Sequence, residues 1–74
     1  MTPHLQLIGD RIRAERLHQN LTQEHVFLAA GIDRRTLQSL EAGRGNPTIR
    51  AILRISHVLN VPLRDLLAER PPPP

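Results

Sequence analysis

The sequence predicts an all-α domain, and three observations support that prediction. Apolar residues recur at helical spacing in several segments. Residues that typically cap or end helices separate these segments. No run of four or more residues alternates between apolar and polar side chains, as a half-buried strand would. We therefore expect five helices and no strand.

The first predicted helix covers about residues 7–19. Its apolar positions are Ile8, Ile12 and Leu17, which have near-helical spacing with polar residues between them. Asn20 readily adopts the left-handed conformation that ends many helices, so we expect the helix to stop there.

The second and third helices are expected to be joined by a very short turn. Thr22 is a typical N-cap for the second helix, and Gly31 ends it. Asp33 caps the third helix, in which Leu37 and Leu40 point inward. Because only residues 31–33 separate the two helices, they must cross steeply, as in a helix-turn-helix unit over about residues 22–41.

Two further helices complete the expected domain, which covers residues 1–70. Thr48 caps the fourth helix, whose apolar stripe consists of Ile49, Ile52, Ile55 and Leu59. Pro62 suits the first turn of a fifth helix, which contributes Leu66 and Leu67 to the core. Residues 71–74 are all proline, so we expect a disordered tail.

Composition narrows the possible functions. The 74 residues carry a net charge of +3, and all ten basic side chains are arginine. Guanidinium groups suit phosphates and guanine edges, although a GC-rich genome would produce the same bias. The chain has no cysteine, its four histidines lack ligand spacing, and it has no Gly-rich phosphate loop. We therefore expect neither an enzyme nor a metal or cofactor site.

One side of the third helix is rich in hydrogen-bond donors. At about 100° per residue, Leu37 and Leu40 define the buried side. The opposite side, called the polar face below, consists of Arg34, Arg35, Gln38 and Ser39.

The two arginines of the polar face are unfavourably placed for the helix itself. A cation in the first turn of a helix costs about 0.3–1 kcal/mol because of the helix dipole. A bidentate contact from arginine to guanine contributes about 1–3 kcal/mol of discrimination, which exceeds that cost. The hypothesis is that Arg34 and Arg35 face DNA. The alternative is a solvated basic surface that Asp33 partly neutralises.

Residues 21–67 resemble the Cro/C1-type helix-turn-helix domain of the XRE family. The resemblance includes the Thr22–Gln23 start of the second helix, the Gly31–Ile32 turn, "LEAG" at residues 40–43 and "NPT" at residues 46–48. Residues 8–20 resemble that family's first helix. The resemblance implies a compact five-helix lambda-repressor-like DNA-binding domain.

The family resemblance also implies roles for single residues. The polar face occupies the positions that touch base edges in the DNA major groove. Arg16 and Glu41 match a pair that ties the first helix to the end of the third. The positions matching phosphate-contacting residues are Thr22, Gln23, Arg44, Asn46 and Thr48.

Two positions depart from the family pattern. Phe27 stands where the family usually has a small residue, so we expect either an outward-turned ring or a splayed helix pair. His25 stands where the family often has a glutamate that completes a capping box.

The function implied is that of a sequence-specific transcriptional regulator, a repressor or autoregulator. It would bind an inverted-repeat operator as a homodimer, with exposed apolar residues of the fifth helix, Val58 and Val61 as the candidate dimer surface. We expect no membrane segment and a cytoplasmic location, with nucleoid association when DNA is bound. The alternatives are an antitoxin-like or accessory module with a protein partner, and a restriction-modification controller protein.

Overall fold

The computed structural model describes residues 3–67, with side chains from residue 5 onward, and this part of the chain is all-helical. The proline tail at residues 71–74 and the expected boundary at residue 70 lie outside the described residues. Between residues 3 and 67, no helix combines the length and apolar character needed to cross a membrane. The five helices are α1 Pro3–His18, α2 Gln23–Ala30, α3 Arg34–Glu41, α4 Ile49–Leu59 and α5 Leu63–Leu67.

The five expected helices are confirmed, but two of their starts were predicted wrongly. The first helix begins at Pro3 rather than near residue 7, and a proline fits a helix start because it needs no N–H partner there. The fifth begins at Leu63 rather than at Pro62. The carbonyl of Pro62 accepts a 2.9 Å hydrogen bond from the N–H of Asp65, so Pro62 forms the entry to the helix.

The first four helices end in the same way. Each is followed by a residue with positive φ, and the next N–H donates to a carbonyl five residues back. This Schellman motif satisfies carbonyls that the helix end would otherwise leave unpaired. Glycine and asparagine tolerate the left-handed conformation, which explains their presence at these positions. The four residues are Asn20, Gly31, Gly43 and Asn60.

Three helices begin at the side chains that the sequence predicted as caps. The hydroxyl of Thr22 accepts from the N–H of residue 25 at 3.0 Å, and the hydroxyl of Thr48 accepts from the N–H of residue 51 at 3.1 Å. A carboxylate oxygen of Asp33 accepts from the N–H of Thr36 at 3.0 Å. Each cap satisfies one N–H of a helix end and fixes where that helix starts.

All five helices contribute to one core, which is aliphatic apart from the ring of Phe27. Leu37 and Leu40 are fully buried, as expected from the polar and apolar sides of α3. The other fully buried large side chains are Ile12, Val26, Ile55, Leu59 and Leu66.

Three apolar residues that the sequence placed in the core are instead exposed. Leu67 is 39% exposed, because it lies one residue beyond Leu66, which takes the buried position in α5. Leu17 is 53% exposed, because the buried row of α1 continues from Ile12 to Arg16, one turn further on. Ile49 is 61% exposed, because it is the first residue of α4 and lies at the end of the apolar stripe.

Helix α1 approaches the end of α3 closely at Gly9. A Cβ atom at Gly9 would lie 2.1 Å from the carbonyl oxygen of Leu40, inside any acceptable contact distance. Gly9 is buried. Its missing side chain therefore allows α1 to pack directly on the backbone of α3, which sets the position of the polar face.

Candidate nucleic-acid interface

The turn between α2 and α3 is short and held by hydrogen bonds. Gly31 has φ 70°, and the N–H of Ile32 donates to the carbonyl of Phe27 at 3.0 Å. Asp33 then has extended backbone angles and starts α3. The guanidinium of Arg54 on α4 donates to the Gly31 carbonyl at 3.4 Å, which connects the turn to α4. The turn thus holds α3 in one orientation relative to α2.

The polar face is accessible in the structure. Arg34, Arg35 and Gln38 are exposed, and Ser39 is half-buried. Within the described chain, the Arg35 side chain forms no hydrogen bond or ion pair, so its guanidinium is free to meet a partner. Four side chains that can donate hydrogen bonds therefore lie on the side of α3 that faces away from the core.

Asp33 supplies a negative charge at the start of α3. Hydrogen bonds from the side chain and backbone of Thr36 lower the pKa of its carboxyl below the ordinary value of 3.8, and the positive charge of Arg35 lowers it further. The carboxylate is therefore ionised at neutral pH. It offsets part of the cost of placing two arginines at the positive end of the helix dipole.

Arg34 has intramolecular partners on α2. Its Cζ atom lies over the ring of Phe27, 5.3 Å from the ring centroid. Its Nη2 atom is 3.7 Å from Oε2 of Glu24, and both side chains of this pair are more than 60% exposed. Arg34 is thus oriented by α2 even though it belongs to the polar face of α3.

The Phe27 ring points into the core and not outward. Phe27 is only 8% exposed and belongs to the core, so the outward-turned ring is wrong. The aliphatic side chains around it accommodate the ring, and the guanidinium of Arg34 covers it.

The loop after α3 brings three of the expected phosphate-contacting residues to the surface. Arg44, Asn46 and Thr48 are all exposed. The N–H of Arg44 donates to the carbonyl of Ser39 at 2.8 Å, so the loop starts close to the polar face. Gly45, with φ 81°, lies against Ser39, where a Cβ atom would be 3.4 Å from that of the serine. The loop therefore extends the surface that α3 begins.

Arg16 and Glu41 form a buried pair between α1 and α3. Nε and Nη2 of Arg16 donate to the two carboxylate oxygens of Glu41 at 2.8 and 3.0 Å, and Nη1 donates to the carbonyl of Leu21 at 2.9 Å. Gln23 joins the same group, because its Nε2 donates to Oε1 of Glu41 at 3.2 Å. Gln23 is half-buried, so the start of α2 is fixed to the end of α3.

A short helix pair with an accessible, donor-rich second helix and a basic loop beside it defines a helix-turn-helix DNA-binding domain. A helix-turn-helix family model matches residues 12–66. The chain belongs to this family, in its XRE or Cro/C1-type branch, and is a DNA-binding transcriptional regulator.

Three similar proteins illustrate the family. An uncharacterised HTH-type transcriptional regulator of Archaeoglobus fulgidus is 38% identical over 56 residues, which are 76% of this chain and 80% of that protein. The restriction-modification controller protein C.AhdI of Aeromonas hydrophila superposes with a TM-score of 0.80 at 31% identity, covering 84% of this chain and 94% of that one. SinR of Bacillus subtilis, solved in complex with DNA, gives a TM-score of 0.76 at 31% identity, covering 82% and 98%.

Two partners of Arg34 within this surface were not predictable from the sequence. Glu24 and Phe27 contact Arg34, but no periodicity within one helix could reveal this, since the residues lie in different helices. The one available signal was the large Phe27 at a position where the family usually has a small residue. Arg54, which holds the turn, was likewise not predicted.

Proposed function

We propose that the chain binds an inverted-repeat operator as a homodimer, with α3 of each protomer in the DNA major groove. One observation carries this proposal: Arg35 and Gln38 are exposed, have donor groups to offer and lie on the outer side of a helix that a three-residue turn holds in place. Arginine donates to guanine and glutamine to adenine in the major groove. The polar face residues Arg34, Arg35, Gln38 and Ser39 are the proposed base contacts.

The backbone of the DNA is proposed to lie against the N-terminal ends of α2 and α4. Phosphates accept hydrogen bonds from exposed polar side chains and from free N–H groups at helix starts. The hydroxyls of Thr22 and Thr48 accept from cap N–H groups, and each keeps its own proton to donate. The proposed phosphate contacts are Thr22, Gln23, Arg44, Asn46 and Thr48.

A homodimer follows from the demands of specific binding. One protomer offers a single reading helix, whereas two protomers read half-sites about one helical turn apart. Val58 and Val61 pack partly against the protomer's own core, so they offer little free surface. Leu67 on α5 is 39% exposed and is the proposed centre of the dimer contact. We propose that the protein acts in the cytoplasm, at the nucleoid, where its DNA target would lie.

A randomised duplex pool at about 0.15 M salt tests this function. We expect the wild type to enrich an inverted repeat and the double variant Arg34→Ala/Arg35→Ala to enrich none. Arg13→Ala/Arg64→Ala is the matched control, because it removes the same charge from exposed positions outside the polar face. The proposal fails if the folded wild type enriches no sequence, or if the Arg34/Arg35 variant enriches the same repeat. The leading alternative would then be a module whose main partner is another protein, bound with little dependence on salt concentration.

A second candidate role is that of a restriction-modification controller protein. It is supported by the match to C.AhdI, 94% of which this chain covers, so the two domains have almost the same size. The operator recovered from the pool distinguishes the roles, because a controller's operator would occur upstream of restriction-modification genes in the source genome. An operator found elsewhere in that genome would exclude this role.

A further inference from the structure

The two arginines at the start of α3 are held differently, although they are neighbours in the chain. Within the described residues the Arg35 side chain forms no hydrogen bond or ion pair, whereas Arg34 contacts both the Phe27 ring and the Glu24 carboxylate. The hydrogen-bonded turn fixes the backbone on both sides of this contact, because the carbonyl of Phe27 accepts from Ile32, two residues before Arg34. The orientation of Arg34 therefore depends on a residue of α2.

The contact with the ring leaves Arg34 able to read DNA. An aromatic ring attracts the face of a guanidinium, whereas the N–H donors lie in its plane and point outward from its edge. With 63% of its side chain exposed, Arg34 can donate to a base edge while the ring still covers one face. A guanidinium already held in one orientation also loses less rotamer entropy when it binds.

We infer that Phe27 is a specificity-determining positioning residue that acts through Arg34. The ring holds the guanidinium in the plane in which it meets one base pair of each half-site, and it need not touch DNA itself. Glu24 has the opposite effect and weakens DNA binding, because its carboxylate competes for the Arg34 N–H groups and repels phosphates. This inference rests on the proposed function, since it assumes that the polar face reads DNA.

The ring is the part of Phe27 that matters for this role. A cation over an aromatic face at an exposed site shifts an equilibrium by about twofold to fivefold. Leucine would fill the buried site but has no such face, whereas tyrosine keeps it. Phe27→Leu should therefore lose discrimination at one base pair of each half-site by about twofold to fivefold, and Phe27→Tyr should keep it.

The test is one pool selection performed in parallel on the wild type, Phe27→Leu, Phe27→Tyr, Arg34→Ala and Glu24→Gln, with melting temperatures recorded for each. We expect Phe27→Leu and Arg34→Ala to weaken the preference at the same base pair and at no other. Phe27→Leu in the Arg34→Ala background should then cause no further loss. Glu24→Gln should bind every duplex more tightly and keep the wild-type preference.

The outcomes separate this inference from the proposed function. If Phe27→Leu keeps the wild-type base preference, the inference about Phe27 is overturned and the proposed function stands. An even loss at all positions, or a loss in Phe27→Tyr as large as in Phe27→Leu, also overturns the inference, because the residue would then act only through packing. No preference in the wild type overturns both proposals.

Discussion

At the scale of single residues, Arg16 and Glu41 are the charged side chains that the described chain buries, each with 8% exposure. A buried charge is tolerated only when its hydrogen bonds are made, and this pair fulfils that condition with two mutual bonds and two bonds to neighbours. The pair connects α1 with the end of α3, and Gln23 adds the start of α2. The orientation of α3 thus depends on two charges that lie outside its polar face.

Removing one member of this pair should destabilise the domain strongly. Arg16→Ala leaves the Glu41 carboxylate buried and short of a partner, which costs about 3–5 kcal/mol. For a domain of this size we expect the melting temperature to fall by more than about 10 °C. Arg64→Ala is the control, because that side chain is 87% exposed and should change stability by less than about 0.5 kcal/mol.

The double variant R16M/E41L completes the comparison by thermal denaturation. Two apolar side chains leave no unpaired charge, so this variant should be more stable than Arg16→Ala. Equal melting shifts in Arg16→Ala and Arg64→Ala would show that the pair contributes nothing.

At the scale of helices, Gly9 decides how α1 packs on α3. Alanine favours a helix by about 0.5–1 kcal/mol over glycine, so propensity alone predicts that Gly9→Ala stabilises. The close approach of the Leu40 carbonyl reverses that sign, because the backbone oxygen 2.1 Å from the new Cβ cannot rotate away. We expect a lower urea midpoint for Gly9→Ala than for the wild type.

Ala14→Gly in the same helix is the matched control for this prediction. Ala14 is exposed, so its replacement reports the propensity difference without the contact. A Gly9→Ala variant that gains as much stability as Ala14→Gly loses would contradict the packing of α1 on α3.

Helix boundaries were predictable from sequence where they depend on local chemistry. Thr22, Asp33 and Thr48 cap their own helices, and Asn20 and Gly31 end theirs, so each acts within a few residues. Contacts between helices were not predictable in the same way. The exposed Leu17 shows this, since hydrophobicity and spacing suggested burial while the neighbouring Arg16 took the inward position through its pairing with Glu41.

For the candidate site, the sequence predicted which residues share one side of α3 but not what they contact. Leu37 and Leu40 fix that side by periodicity, so the polar face follows directly. The cover of Phe27 by Arg34 depends on the angle between two helices, which the turn and the buried pair set together. Sequence position alone does not encode this angle.

At the scale of the whole molecule, the proposed dimer contact is the exposed apolar surface at the end of α5. A two-fold dimer brings the same surface of both protomers together, so a charge near its centre meets its own copy. Leu67 is half-exposed at the end of α5, next to Leu66, which is 2% exposed and holds the helix in the core. A substitution at Leu67 can therefore change association without removing core packing.

Leu67→Glu should separate dimer formation from DNA reading. Two carboxylates facing each other across the two-fold axis repel, so we expect a monomer in sedimentation and a loss of at least about tenfold in affinity for the inverted repeat. Affinity for a duplex with one half-site should stay unchanged, because the polar face is intact. Leu17→Glu, at another exposed leucine, is the control and should remain dimeric. A Leu67→Glu protein that stays dimeric would move the contact away from α5, whereas equal losses on both duplexes would indicate that α5 affects the orientation of α3 instead.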